Sequence, residues 1–460
     1  MDTLKKTAIY IIINLLTCNT VFAQIQWIES TEKAPWKTHT EPVLQKYDGS
    51  NQQHIEIFPS KRIQQIDGFG GCFNERGMDA LSVLTETKRQ EVIQQLFDTT
   101  SGCSFNICRM PIGASDYAMD YYSLDDTPGD YKMEHFNIER DKKYLIPYIK
   151  LAMNYNHSLK IWGSPWTPPV WIKSNNHYAC QGMQDRCHLQ WNPEILTAYA
   201  LYFEKYIKAY RNEGINIYAI HVQNEPYACQ NFPSCLWTGN EMRDFIRDYL
   251  GSKLAGLNTE IWLGTINNSR YDDCAGVVLS DPGAAKYITG VGYQWDGKNA
   301  ICITALKHPG IRLMQTESEC GGGENNMQSA LYTFSLIDHY LKSGANSYMY
   351  WNMILDQSGL SSWGWPQNSL ISINRNTREV KYNMEFYVMK HFAHYIKSGA
   401  FRLATSGYDE YALAFVNPAN DLILVVMNSS QFSKKYTVKI GDKMFVADLP
   451  GQSFNTFKIN

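Results

Sequence analysis

The feature that most constrains this chain is a recurrence. Eight short runs rich in β-branched and aromatic residues, 66–70, 105–110, 160–164, 218–223, 261–264, 288–293, 311–315 and 347–351, are separated by stretches with helical spacing. The clearest helical stretch covers 193–212, with Ile195, Tyr199, Tyr202, Phe203 and Tyr206 on one face. Strand-then-helix repetition predicts an α/β fold, and a (β/α)₈ TIM barrel over 62–395 suits it better than a doubly wound sheet. The reason is that no GxGxxG turn follows any run. The flanks differ. Segments 24–61 and 396–460 read as short alternating strands, such as His54-Ile55-Glu56-Ile57-Phe58 and 422–427, and predict one β-sandwich side domain built from both termini. With 460 residues, 44% of them apolar, there is ample material for both parts, and no low-complexity linker parts them.

The charge balance removes one class of function. A net charge of -3 without a run of Lys or Arg gives no footprint for nucleic acid. No cysteine or histidine spacing of the CxxC…CxxC or HExxH kind occurs, so neither a metal nor another cofactor is expected. The first 23 residues read as an export signal: Lys5 and Lys6, an apolar run from Ala8 to Leu16, then Val21-Phe22-Ala23 before Gln24. That run is too short for a transmembrane span, which needs about 20 residues. A secreted or periplasmic monomer is expected, with lipidation at Cys18 the alternative for a cell-surface protein. In an oxidising compartment the pairs Cys180 with Cys187 and Cys229 with Cys235 are candidate loop staples, within or across pairs.

In such a barrel, chemistry sits at the C-terminal ends of the strands. That rule selects Arg109 and Asp116 at the second, Trp166 at the third, Asn224-Glu225-Pro226 at the fourth, Thr316-Glu317 at the seventh and Trp351-Asn352 at the eighth. Strands four and seven face each other across the ring. Two carboxyl groups there can flank a glycosidic bond, one protonating the leaving oxygen and the other attacking the anomeric carbon. A separation near 5 Å would mean retention of configuration. Glu319 and Glu324 compete with Glu317 but lie beyond the apolar run in a Gly-rich loop. Arg109 could be a structural partner of a carboxylate rather than a substrate or electrostatic residue, Trp171 could only pack its loop, and Trp363 and Trp365 could be subsite walls or filler. His221 is expected to be a satisfied interior histidine.

Taken in order, Ile66-Asp67-Gly68-Phe69-Gly70-Gly71, Arg109-Met110-Pro111 with Ser115-Asp116-Tyr117, 164–173 (SPWTPPVWIK), Gln223-Asn224-Glu225-Pro226 and Thr316-Glu317 resemble glycoside hydrolase family 30, the family of glucosylceramidases and β-1,6-glucanases. The resemblance spans nearly the whole chain after residue 23. It implies a barrel with a β side domain, Glu225 as acid/base, Glu317 as nucleophile, and Arg109, Asp116, Trp166, Asn224 and Trp351 around a glucose in the −1 subsite. Asn224 would hold the sugar 2-hydroxyl. Where mammalian glucosylceramidases carry His-Trp-Tyr, this chain has Gly292-Tyr293-Gln294-Trp295, so Gln294 falls at the Tyr position and Tyr293 or Trp295 could take a subsite role. The expectation is a retaining β-glycoside hydrolase, an exported β-1,6-glucanase ahead of a glucosylceramidase-type β-glucosidase, with a non-catalytic carbohydrate-binding protein the outsider. The partner is a β-linked glucan or glucoside.

Overall fold

The computed structural model describes residues 25–39, 42–49, 55–407 and 411–459. The proposed signal segment and Cys18 lie outside them. Eight parallel strands close a barrel: Gly68–Cys72, Ile107–Ile112, Lys160–Pro165, Ile217–His221, Glu260–Ile266, Ile288–Gln294, Arg312–Glu317 and Ser347–Asn352. Each pairs with the next in the chain, and the eighth returns to the first with Ser347 opposite Gly68. Seen along a strand, alternate residues point inward. The lower interior layer is Ile107, Trp162, Ala219, Trp262, Met314 and Met349, one packed cluster. Gly290 completes it because a Cβ there would sit 2.5 Å from the Trp262 ring. One step up, the inward residues turn polar: Arg109, Ser164, His221 and Thr316, all fully buried. The barrel therefore has a dry floor and a charged upper layer.

The helix Pro193–Asn212 forms where the spacing predicts it. Asn192 caps it by accepting from Ile195 N, Pro193 opens it where no N–H is needed, and Tyr199, Tyr202, Phe203 and Tyr206 are buried. A three-stranded sheet, Ile354–Asp356, Ile371–Ile373 and Val380–Tyr382, follows the eighth barrel strand and was not expected. It frames the loop bearing Trp363, Trp365 and Gln367.

The side domain is one ten-stranded sheet from both ends of the chain, with Ile25–Ser30 beside Ser453–Ile459. Its strands are apolar on both faces because each face meets something. Ala412, Ala414, Val416, Leu424, Val426 and Phe457 pack within the domain, whereas Leu413, Phe415, Ile423, Val425 and Phe454 join the barrel's core. Phe454 stacks on Phe334 of the barrel helix Met327–Lys342, ring centroids 5.9 Å apart. His391, fully buried on the helix Met384–Ala393, bonds to Ser30 Oγ and Thr456 Oγ1, both at 2.8 Å.

Two expectations need correction. Cys180 and Cys187 form a disulfide, but Cys229 and Cys235 are free. Their loop is tied instead by main-chain bonds, Ser234 N to Tyr178 O and Cys180 N to Gln230 O, while the Cys235 side chain packs into the core. His221 is interior but not satisfied. Among the described residues neither ring nitrogen has a hydrogen-bond partner, and the ring lies between Trp162 and Trp262, where burial drives its pKa well below the ordinary value and keeps it neutral.

Candidate active site

The upper polar layer opens into a cleft of about 420 Å³ at the C-terminal ends of the strands. A larger depression, about 520 Å³, lies at the other end beside Ile63, Arg312 and Arg402 and has no carboxylate pair.

Past the fourth strand, Asn224 N bonds to Pro165 O at 2.7 Å and Glu225 N to Thr265 O at 3.1 Å, so the neighbouring strands fix this segment on both sides. Glu225 is held at φ 45°, a left-handed conformation rare for a side chain of its size, which turns its carboxyl into the cleft. Glu317 ends the seventh strand and faces the same space. Both carboxyl groups are almost wholly buried.

Arg109 organises the floor beneath them. Its guanidinium donates to Glu317 Oε2 at 2.6 Å, to Asn224 Oδ1 at 2.6 Å and to Ser164 Oγ at 3.0 Å, and it lies 4.3 Å from the centre of the Trp166 ring. A buried ion pair is worth having only when its remaining donors are also met, as here. Gln294 donates from Nε2 to Glu225 Oε1 and Glu317 Oε2, 3.1 Å each, and Trp295 Nε1 donates to Glu317 Oε1 at 3.2 Å. Two residues thus orient Glu317 from the sixth strand, Gln294 and Trp295.

Burial pushes the pKa of both carboxyl groups up, but unequally. Glu225 is raised by burial and then by the charge of Glu317, opposed by Gln294 and Arg109. Glu317 is raised by burial and held down by Arg109, Trp295 and Gln294. With three side chains among the described residues donating to Glu317 and one to Glu225, the negative charge settles on Glu317 and the proton on Glu225. Asp116 is raised well above the usual carboxylate range, by burial first and then by Glu317 and Glu225, and its Oδ1 has no partner. The indole nitrogen of Trp351, whose ring stacks on Trp166 at 5.2 Å, is likewise buried and unpaired.

Of the residues singled out, Asp116, Trp166, Asn224, Glu225, Trp295, Glu317 and Trp365 line the cleft. Five others, Arg109, Tyr293, Gln294, Trp351 and Asn352, lie outside its lining. Arg109 is fully enclosed and donates to Glu317 and Asn224. Gln294 is enclosed too and serves the carboxyl groups. Tyr293 points away, its hydroxyl bonded to Thr304 Oγ1 on the helix Ile301–Lys307. Strand alternation carried that signal, since Tyr293 shares the outward parity of Val291. Asn352 is buried between Asn74 and Gln367, at 3.0 and 2.9 Å. Trp171 packs its loop, its indole donating to Asp125 O.

The cleft also takes in Gln230 and Phe232 after the fourth strand, Asn267 after the fifth, Asp296 after the sixth, and Gln367 after the eighth. The sequence already raises Trp295 for a subsite role; Asp296 and Asn267 lie just past strand ends, so the rule that chose Glu225 could have named them too. Phe232 and Trp365 meet across the cleft, centroids 5.0 Å apart, a contact between distant loops that no local pattern announces.

Residues 66–396 match the glycosyl hydrolase family 30 TIM-barrel domain, and 399–457 match the family's beta sandwich domain. The lysosomal acid glucosylceramidase of Mus musculus is 28% identical over 440 residues, 88% of this chain and 82% of its own. The endo-1,6-beta-D-glucanase neg1 of Aspergillus fumigatus is 28% identical over 438 residues, 88% and 87%. The solved structure of the endo-beta1,6-glucanase BT3312 superposes with a TM-score of 0.83 at 26% identity, covering 95% of this chain and 98% of that one.

Proposed function

The chain belongs to glycosyl hydrolase family 30 and is a glycosidase, and from that premise we propose that it is an exported, retaining enzyme that cleaves β-1,6-linked glucan. The observation that carries retention is the shared amide of Gln294. One nitrogen stands 3.1 Å from an oxygen of each glutamate, so those oxygens lie no further apart than twice that distance. Inverting pairs begin at roughly 6.5 Å, to leave room for a water, and retaining pairs sit near 5 Å.

The reaction runs in two displacements. Glu317, ionised by Arg109, Trp295 and Gln294, bonds to the anomeric carbon, while the electron pair of the breaking bond goes to the leaving oxygen, which takes the Glu225 proton. Glu225, now a base, removes a proton from water as its oxygen displaces Glu317. Asp116 Oδ1, buried without a partner among the described residues at the cleft wall, suits a hydroxyl of a bound sugar, since such a group is costly to leave unmet. Asn224 Oδ1 is taken by Arg109 and Thr265, which leaves its amide nitrogen for the 2-hydroxyl.

The leaving-group side favours a sugar over a lipid. Gln230, Asn267, Asp296 and Gln367 offer polar groups between the flat faces of Phe232, Trp295 and Trp365, and no long aliphatic side chain lines it. Reducing-sugar release from a β-1,6-glucan, abolished by Glu317→Gln, is the test; no release by the wild type would end this reading. A parallel assay on glucosylceramide checks the second reading, which rests on the mouse relative. Export predicts that the N-terminus of the protein recovered outside the cytoplasm is Gln24.

A further inference from the structure

Gln294 ends the sixth barrel strand and is fully enclosed. Its carbonyl oxygen accepts from Thr316 Oγ1 at 2.8 Å and from Arg109 Nη1 at 3.4 Å. Its amide nitrogen faces three oxygens, Asn224 Oδ1 at 3.2 Å and one on each glutamate at 3.1 Å. Only this orientation is tenable. Turned over, the amide would set its hydrogens against the guanidinium and its oxygen against two carboxyl groups.

Two hydrogens face three acceptors, so one acceptor must go without. Asn224 Oδ1 already receives Arg109 Nη2 at 2.6 Å and Thr265 Oγ1 at 3.0 Å, one for each lone pair. The two hydrogens of Gln294 therefore go one to each glutamate. Among the described residues, no other side chain donates to the Glu225 carboxyl.

We infer that Gln294 is a positioning residue that stabilises the negative charge on whichever of the two glutamates bears it as the reaction proceeds. This rests on the roles proposed above. In the free enzyme the charge is on Glu317, and that hydrogen bond is the charge-assisted one. Once Glu317 is bonded to the sugar and the Glu225 proton has left on the leaving oxygen, the charge is on Glu225, and the other N–H takes over. When water gives its proton to Glu225 and its oxygen to the sugar, Glu317 departs with the electron pair and the first state returns. An amide does not ionise in this range, so Gln294 bridges the pair without passing a proton between them. A tyrosine or histidine in its place could exchange one.

The charged and titratable groups around this bridge are Arg109 from the second strand, Asp116 and Asp296 at the cleft wall, and the two glutamates. His221 and Cys72 lie nearby, both held neutral by burial. Gln294→Met keeps the length and removes both donors. Both carboxyl groups then become weaker acids, so both limbs of the kcat/KM profile on an aryl β-glucoside move to higher pH together, by about one unit. Thr316→Val leaves Gln294 but removes the shorter of the two hydrogen bonds to its carbonyl, and gives the same displacement in smaller measure. Near-ultraviolet circular dichroism and melting temperature establish that each variant is folded. A profile lowered with its limbs in place overturns the inference and leaves Gln294 a packing residue. The wild-type alkaline limb must also vanish in Glu225→Ala. If it persists there, the acid/base assignment falls and this inference with it; if it vanishes there but does not move in Gln294→Met, this inference falls alone.

Discussion

Among the described residues Glu317 receives Arg109, Gln294 and Trp295, while Glu225 receives Gln294 alone, and this asymmetry sets what single substitutions should do. Glu225→Ala removes the proton donor, so turnover of a glucan should fall at least about a hundredfold, and that of an aryl glucoside with a good leaving group far less. Equal losses on the two would sink the assignment. The pH dependence follows from the same asymmetry. Activity needs Glu225 protonated and Glu317 ionised; with Glu225 raised above the usual carboxylate range, kcat/KM is present below its pKa and lost as pH rises through it. Arg109→Met strands the Glu317 charge in a buried site, so the acid limb should move to higher pH and kcat/KM should fall. An unmoved limb would mean Arg109 does not hold that charge. At this scale the sequence made the pair legible, because a strand-end carboxylate after an apolar run is a local pattern. Which neighbours touch each carboxyl was not, because Arg109, Gln294 and Trp295 converge from two strands far apart in the chain.

The loops after the strands hold the leaving-group side. Phe232 and Trp365 come from loops after the fourth and eighth strands, and both line the cleft with their rings 5.0 Å apart. Trp365→Ala should raise KM for the glucan about three- to tenfold, the worth of one aromatic contact, and leave the aryl glucoside nearly unaffected. An equal rise for both would place Trp365 in the architecture of the glycone pocket instead. The strands themselves were readable to within two or three residues, since an apolar run bounded by turn residues is a property of the segment alone. The sheet formed by Ile354–Asp356, Ile371–Ile373 and Val380–Tyr382 was missed because each of its strands has only three residues, too few for a period.

The barrel and the side domain share one apolar core, and His391 is their polar rivet. Burial lowers its pKa to about 3, so it is neutral when folded and protonates near pH 6.5 when unfolded. A base depressed in this way contributes no penalty above pH 6.5 and costs stability as pH falls below it. His391→Leu should remove one hydrogen bond from each of two buried hydroxyls, Ser30, which still donates to Pro35 O, and Thr456, which still reaches the main-chain carbonyl of residue 391, and destabilise the protein by about 2 kcal/mol at pH 7.5. The gap to wild type should narrow by pH 5, as urea unfolding at the two pH values would reveal; a constant gap would mean His391 is not neutral in the fold. The sequence by itself determined the barrel, the side domain from both termini and the two glutamates, because periodicity and strand-end position are written in neighbouring residues. Tertiary structure alone decided that Arg109 and Gln294 bond to the carboxyl groups, that Tyr293 turns outward, and that Cys229 and Cys235 stay apart. Those outcomes depend on distances between segments that meet only when the ring closes.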